Sequence, residues 1–445
     1  MLHIALPLVL AEIGWMSMGV VDTIMVGHLP NAATAIGSAA LAQVIYNTLA
    51  FGIGGILLGL DTTIAQAHGA GDVPAANRWL VQGVILAAGI SALLMTCYAL
   101  APIGFHRLPT DPVVVAGAVG TLGALSLGTL PLMLYFTLRR YLQAFNHVRL
   151  VAAALVSSNL INLLFDWLLI YGHRWTVGGH VLAIPAGGVV GSGIATSLAR
   201  TYQAVFMIAS ILYVNRRHGY GLLKTSWRPH WASLRRLLAL GVPSGATILV
   251  EIAIFAAVTA IISTLGPAPL SGHEIALNCI SFTFMVPLGI SAAASIRVGQ
   301  AVGRRDAAGA RAAGWAAILL GAAFMLAVSV LYVTIPYALA GAFTTSATVI
   351  AATVPLLYIA SIFQFCDGLQ VTAIGALRGA GNTHSGLITH LCSYWLFGMP
   401  IGLYLCFTRR MGAPGLWLGL CASLIVSGLT LIYLWRRMAR TLSFQ

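Results

Sequence analysis

The stretch TTIAQAHGAGD (Thr62–Asp72) interrupts an apolar chain with hydroxyl, amide and glycine residues, and it returns as RVGQAVGRRD (Arg297–Asp306). Gln66, Ala67, Gly69 and Asp72 recur as Gln300, Ala301, Gly303 and Asp306, each displaced by 234 positions. Two weaker matches share nearly the same offset: Pro7 in ALPLVLAE with Pro243 in GVPSGATILVE, and Leu142 in YLQAFNHVR with Leu377 in ALRGAGNTH. What each phrase does depends on the solvent around it.

Hydrophobic residues make up 59% of the 445 positions and charged residues only 7%, with a mean hydropathy of +0.92. A soluble domain carries roughly a quarter charged residues, so this chain could not cover a water-facing surface. Runs such as VQGVILAAGISALLMTCYALAPIGF and GWAAILLGAAFMLAVSVLYVTI exceed the roughly 20 residues that cross a bilayer as a helix. Strand-type alternation is absent, and lipid offers no water to unpaired backbone groups, so the spans are read as helices.

Segmenting at Gly, Pro and charged clusters predicts about 12 spans, near 2–27, 34–60, 79–103, 117–138, 150–171, 186–213, 237–265, 271–296, 313–335, 347–373, 386–407 and 414–435. The polar phrases then follow spans two and eight. An even number of spans between equivalent points returns the chain to the same side, so the halves form a parallel repeat about an axis along the membrane normal. The expected fold is an all-α integral membrane protein with two six-helix lobes, 1–213 and 237–445, around a central cavity. The hydrophilic segment 214–236 is their cytoplasmic linker. Glu12 and Asp22 interrupt the first span, which argues against a cleaved signal peptide.

The net charge of +13 is topological. With the N-terminus cytoplasmic, eighteen of the 23 Lys and Arg residues fall on the cytoplasmic side, and Arg107, Arg174, Arg409 and Arg410 on the other. That asymmetry follows the positive-inside rule and gives no reason to invoke nucleic acid. Both termini are expected in the cytoplasm. The six cysteines are scattered in or beside spans without C-x-x-C spacing, so neither a disulfide framework nor a zinc site is expected.

The ordered motifs resemble those of the multidrug and toxic compound extrusion (MATE) transporters over essentially the whole chain. The resemblance rests on P-x(14)-D-T-x-x-x-G (Pro7, Asp22, Thr23, Gly27), LDTTIAQAHGAGD, SSNLINLLFDWLLIYG followed by GSGIATSLA, GHEIALNCISFTFMVPLGISAAASIRVGQAVG and FQFCDGLQVTAIGALRGAGNT. It implies a bacterial inner-membrane efflux protein that exchanges organic, often cationic or amphiphilic, compounds for H⁺ or Na⁺ as two lobes rock between outward-open and inward-open states. Beyond the coupling ion no cofactor is implied. A monomer surrounded by membrane lipid is expected.

A carboxylate at mid-membrane costs about 2.5–3.5 kcal/mol on insertion scales, so each of the ten acids needs a reason. Asp72, Asp111 and Asp306 lie in loops and suit helix caps, while Asp61 closes span two and reads as interfacial. In the N-terminal half, Asn159, Asn162 and Asp166 share one helical face. The resemblance places Asp22, Asn162 and Asp166, with Thr196, in a cation-coupling network. Two carboxylates in a low-dielectric pocket repel, and a bound proton or Na⁺ relieves that. The alternative is a static polar knot, with Arg200 as its permanent counter-ion. Arg200 could also tune the acids or snorkel to an interface.

In the C-terminal half the resemblance matches Glu251 and Asp367 to acids of a second coupling site, of Na⁺ or of H⁺. Glu274 stands where the family often has Gln, and Phe363 where an aromatic hydroxyl is common. The latter change removes an oxygen ligand and favours a proton there. The two acid sets do not superpose on the repeat, so the chain carries acids typical of both family branches. Aromatic and Met residues such as Met16, Tyr46, Phe51, Phe255 and Phe284 could hold organic cations or simply pack. No phosphate loop, zinc-protease motif, nucleophile elbow or dinucleotide fingerprint appears, so an enzyme is not expected and uphill transport must draw on an ion gradient. A lipid-linked oligosaccharide flippase is the rival reading; it would call for cavity arginines, of which Arg200 is the one clear intramembrane candidate.

Overall fold

The computed structural model describes residues 1–105, 111–177 and 180–442; Arg107 lies outside them. The backbone closes its hydrogen bonds within helices, as a lipid phase requires. Among the described residues eleven helices are long and apolar enough to cross a bilayer. A twelfth span forms if α5 (Pro112–Leu127) and α6 (Thr129–Ala144), bent by 44° across Gly128, are counted together. The span expected near 117–138 lies within this bent pair.

Other spans fall close to where the apolar runs put them. α1 (Leu2–Gly27) matches the first. α2 (Ala32–Gly54) continues through a 3₁₀ turn, Gly55–Leu58, into α3 (Gly59–Gly69), so the second span carries its polar phrase as helix. α4 (Val73–Phe105), α7 (Val148–Tyr171) and α8 (Gly188–His218) follow. One departure from an all-helical chain is an antiparallel hairpin, β1 (His173–Val177) with β2 (His180–Ile184), with Arg174 opposite Ala183. Its sequence carries Gly-Gly between two short runs, a hairpin signal overlooked beside the stronger apolar pattern.

The chain forms two compact units. One comprises Ile13–Leu60 and Asp72–Leu238, with Val26, Ala35, Ala39 and Ile170 forming part of its core. The 214–236 segment is tied down within it. Asn77 Nδ2 donates to the Tyr220 carbonyl at 2.8 Å, and Gln82 brackets the segment through the Arg228 carbonyl and the His230 amide, each at 2.9 Å.

The other unit comprises Met1–Glu12, Asp61–Gly71 and Ala239–Gln445. It holds α9 (Trp231–Ser263) from Ala239 onward, α10 (Pro267–Gly303), α11 (Ala307–Thr334), α12 (Pro336–Gly341), α13 (Ala347–Gly379), α14 (His384–His390), α15 (Met399–Leu403) and α16 (Ala413–Thr441). Its core includes Ile254, Met325, Leu356, Phe363 and Trp417. Between α14 and α15 the chain widens into π-helix over Leu391–Gly398. Pro400 has no N–H for an i→i−4 bond, which accounts for the wider register just before it.

The three loop acids cap helices. Asp72 Oδ1 accepts from the Ala75 amide at 2.8 Å, Asp111 Oδ1 from Val113 at 2.8 Å and Asp306 Oδ1 from Gly309 at 2.7 Å. Asp72 and Asp306 occupy equivalent repeat positions, so each polar phrase ends one helix and starts the next.

Asp61, expected near the membrane interface, has a partner that the sequence did not suggest. It is buried inside α3 and pairs with Arg378 Nη1 at 3.4 Å, because the last turn of α13 runs beside α3. Thr62 Oγ1 donates to the Arg378 carbonyl at 2.6 Å and Gln66 Nε2 to the Gly379 carbonyl at 3.0 Å, satisfying the open carbonyls of that helix end. Arg378→Met is expected to cost about 3–5 kcal/mol by stranding a buried carboxylate, and adding Asp61→Asn should recover most of it. Thermal melting of the three variants in detergent checks both steps.

Candidate functional site

Within the first unit, span one and the helices α7 and α8 bring four of the expected residues together. Asp22, Asn162, Asp166 and Thr196 are all buried. Thr196 Oγ1 donates to Asp22 Oδ2 at 3.1 Å. Asn162 and Asp166 lie against Asp22. Asp22 Oδ1, both Asp166 carboxylate oxygens and both polar atoms of the Asn162 amide are buried without a donor–acceptor partner of ordinary geometry. The i, i+4 spacing of Asn162 and Asp166 puts both on one side of α7, and Thr196 reaches Asp22 from α8.

Asn159 is not part of that group. Its Nδ2 donates to the Gly14 carbonyl at 2.8 Å, two helical turns before Asp22 on α1, so it staples α7 to α1. Arg200 is buried one turn after Thr196 and makes no salt bridge. Its guanidinium carbon lies 4.6 Å from the centroid of the Tyr46 ring, which stacks on Tyr98 with centroids 4.9 Å apart. Pairing with an acid, the expectation for this cation, is therefore not what the structure shows. A desolvated ring face holds an arginine with about 2 kcal/mol, and Tyr46 supplied that alternative. Arg200 still acts on Asp22 through its charge.

In the second unit, Asp367 on α13 is buried, and its Oδ1 accepts from Gln370 Nε2 at 3.2 Å. The same amide donates to the Tyr394 hydroxyl at 2.9 Å. Glu251 on α9 is half-buried and lies within electrostatic reach of Asp367 and Tyr394. Glu274 is exposed, and none of the bonds joining this group reaches it. Its neighbour His273 is fully buried between Thr259 Oγ1 at 2.8 Å and Trp417 Nε1 at 3.0 Å.

Sequence reasoning missed Gln370 and Tyr394. Gln370 was findable, since it shares a helical face with Asp367 three residues earlier. Tyr394 carried no such signal, because its π-helical segment does not project side chains with the usual period. Among the described residues no group of three or more His, Cys, Asp and Glu side chains gathers as metal ligands. The six cysteines are free thiols. The chemistry on offer is two pairs of carboxylates, one in each unit, each with amide or hydroxyl neighbours.

The MatE family model matches residues 7–168 and again 243–404, the two halves of the repeat. A probable multidrug resistance protein NorM of Geobacillus kaustophilus (strain HTA426) is 32% identical over 437 residues, covering 97% of this chain and 94% of the relative. Multidrug resistance protein MdtK of Edwardsiella ictaluri (strain 93-146) is 32% identical over 431 residues, covering 94% and 91%. The crystal structure of the eukaryotic MATE transporter AtDTX14 superposes with a TM-score of 0.86 at 21% identity, over 99% of this chain and 97% of that one. By the doubled family match and the length of these alignments, the chain belongs to the MatE family.

Proposed function

We propose that this protein is a secondary antiporter that exports organic, mainly cationic, compounds from the cytoplasm in exchange for H⁺ or Na⁺ by a rocking, alternating-access cycle. Its site is the bacterial inner membrane, with both termini in the cytoplasm. The observation that carries this reading is two carboxylate pairs, buried Asp22 with Asp166 and half-buried Glu251 beside buried Asp367, held among polar side chains. Anionic oxygens inside a membrane must be neutralised. A coupling ion and a cationic passenger can each do so, and binding of one weakens binding of the other by a reciprocal linkage. Outward-facing acids then load the ion and release the passenger, and inward-facing acids do the reverse. The names of the NorM and MdtK relatives support drugs as passengers.

The direct test uses purified protein in vesicles given either a pH gradient alone or a Na⁺ gradient alone. Ethidium or norfloxacin uptake against its own gradient in at least one arm is expected. No movement in either arm, nor protection of an efflux-deficient host by expression of the chain, would remove the proposal. Rescue of an envelope-glycan defect instead would favour a lipid-linked oligosaccharide flippase.

A further inference from the structure

We infer that Arg200 sets the ion selectivity of the Asp22–Asp166 pair, keeping Na⁺ out and leaving the proton as the ion this unit accepts. The inference rests on the reading of these acids as a coupling site. Judged by its oxygens alone the pair would suit Na⁺. Asp22 Oδ1, both Asp166 oxygens and Asn162 Oδ1 are buried, unpartnered and on facing helices, which is the oxygen-rich setting a small cation needs.

Arg200 opposes that occupant in two ways. It is buried, with Nε and Nη1 lacking any hydrogen-bond partner, and its charge acts on Asp22. At an effective dielectric near 20, a like charge within several ångströms weakens cation binding on the order of 100-fold. A proton suffers the same repulsion, but it starts from a far tighter bond to the carboxylate, so the same loss leaves the proton bound and removes Na⁺, which charge and ligand oxygens hold only weakly.

The second way is steric. Arg200 sits one turn after Thr196, whose hydroxyl already bonds Asp22, and long side chains on a helix lean back toward its N-terminus. A rotamer turned back along α8 would carry the guanidinium from the Tyr46 ring it now covers toward the unpartnered side of Asp22. There its planar fork would occupy the oxygens that Na⁺ requires. A proton shared between two carboxylates needs only one of them. The other titratable or charged groups around this arrangement are Tyr46 and Tyr98 on α2 and α4 and Tyr202 on α8 itself; α6 brings Tyr135, Arg139, Arg140 and Tyr141, all six or more residues beyond its first residue. α5 brings none.

The test measures Na⁺ binding apart from transport. Purified protein is melted in NaCl and in choline chloride at equal ionic strength. Wild type is expected to show no Na⁺-specific rise in melting temperature, whereas Arg200→Gln should show one, with half-saturation roughly 100-fold below any wild-type response. Asp22→Asn in the Arg200→Gln background should erase it. Arg200→Met serves if the Gln variant does not fold. Arg200→Lys, which keeps the charge, should still exclude Na⁺. Na⁺ stabilisation of wild type that depends on Asp22, equal Na⁺ indifference in Arg200→Gln and Arg200→Met, or a Na⁺ response in Arg200→Lys as strong as in Arg200→Gln would each overturn the inference. Because the readout is binding, these results stand whether or not vesicles transport drug.

Discussion

Asp22→Asn and Asp367→Asn are each expected to lower gradient-driven export while leaving the protein as stable as wild type or more so. The amide has the size of the carboxylate but cannot take up a proton and carries no charge to hold a cation. Losing one partner of a buried charge pair costs about 2–5 kcal/mol, roughly 30- to 5,000-fold in the affinity that drives the exchange. Stability should move the other way, because a buried carboxylate with few hydrogen-bond donors is itself a cost. Asp22 Oδ1 is in that position, and Asp367 has only the shared amide of Gln370. A structural knot would give the opposite pairing, lower melting temperature with export intact. Ethidium efflux from vesicles, measured beside thermal melting, separates the two. Comparing the variants also identifies the working unit: if Asp22→Asn is silent and Asp367→Asn is not, coupling belongs to the C-terminal acids. Full export with neutral amides at Asp22, Asp166, Glu251 and Asp367 together would end the electrostatic account.

Much of this was legible beforehand because lipid makes strong demands on a sequence. Apolar runs long enough to span, the 234-residue echo and the loop aspartates that cap helices all report local chemistry. Where a residue's partner lay far along the chain, the reading failed. Nothing marked Asp61 as half of an ion pair, because its partner Arg378 is 317 positions away. Arg200 was expected on an acid, since nothing in the sequence places the face of Tyr46 beside it. The polar face of α7 predicted Asn162 and Asp166 together, yet spacing could not reveal that Asn159 would be taken by the Gly14 carbonyl. The break at Gly128 and the π-helix before Pro400 are backbone adjustments, and hydropathy is blind to both.

The echo itself yields the other large effect. In the unit that contains both phrases, a Cβ placed on Gly69 would strike the Gln300 carbonyl, and one placed on Gly303 would strike the Gln66 carbonyl. Those four residues are two equivalent pairs of the repeat, so the contact is self-complementary, each copy's glycine admitting the other's backbone. The obstacle is main chain on both sides, and no rotamer change can relieve it; α3 and α10 would have to separate. Overpacking a tight site costs about 1–3 kcal/mol and sometimes more. Gly303→Val is therefore expected to lower the melting temperature and to cut export at least tenfold, with Gly69→Val doing the same. Gly89→Ala is the control, since nothing lies within 4 Å of its would-be Cβ and alanine in a helix gains about 1 kcal/mol over glycine. α3 is also tied to α13 by the Asp61–Arg378 pair and the Gln66 bond to Gly379, so a shift of α3 away from α10 should strain those as well. Ala65, fully buried on α3 with its Cβ against Gly299 of α10, reports on that step: maleimide labelling of Ala65→Cys should rise when Gly303→Val is added. If both valine variants melt and transport like wild type, or labelling does not change, the polar phrase is a turn and nothing more. If they fail as expected, its recurrence has a mechanical cause, because a contact of this kind works only when both copies keep the same glycine.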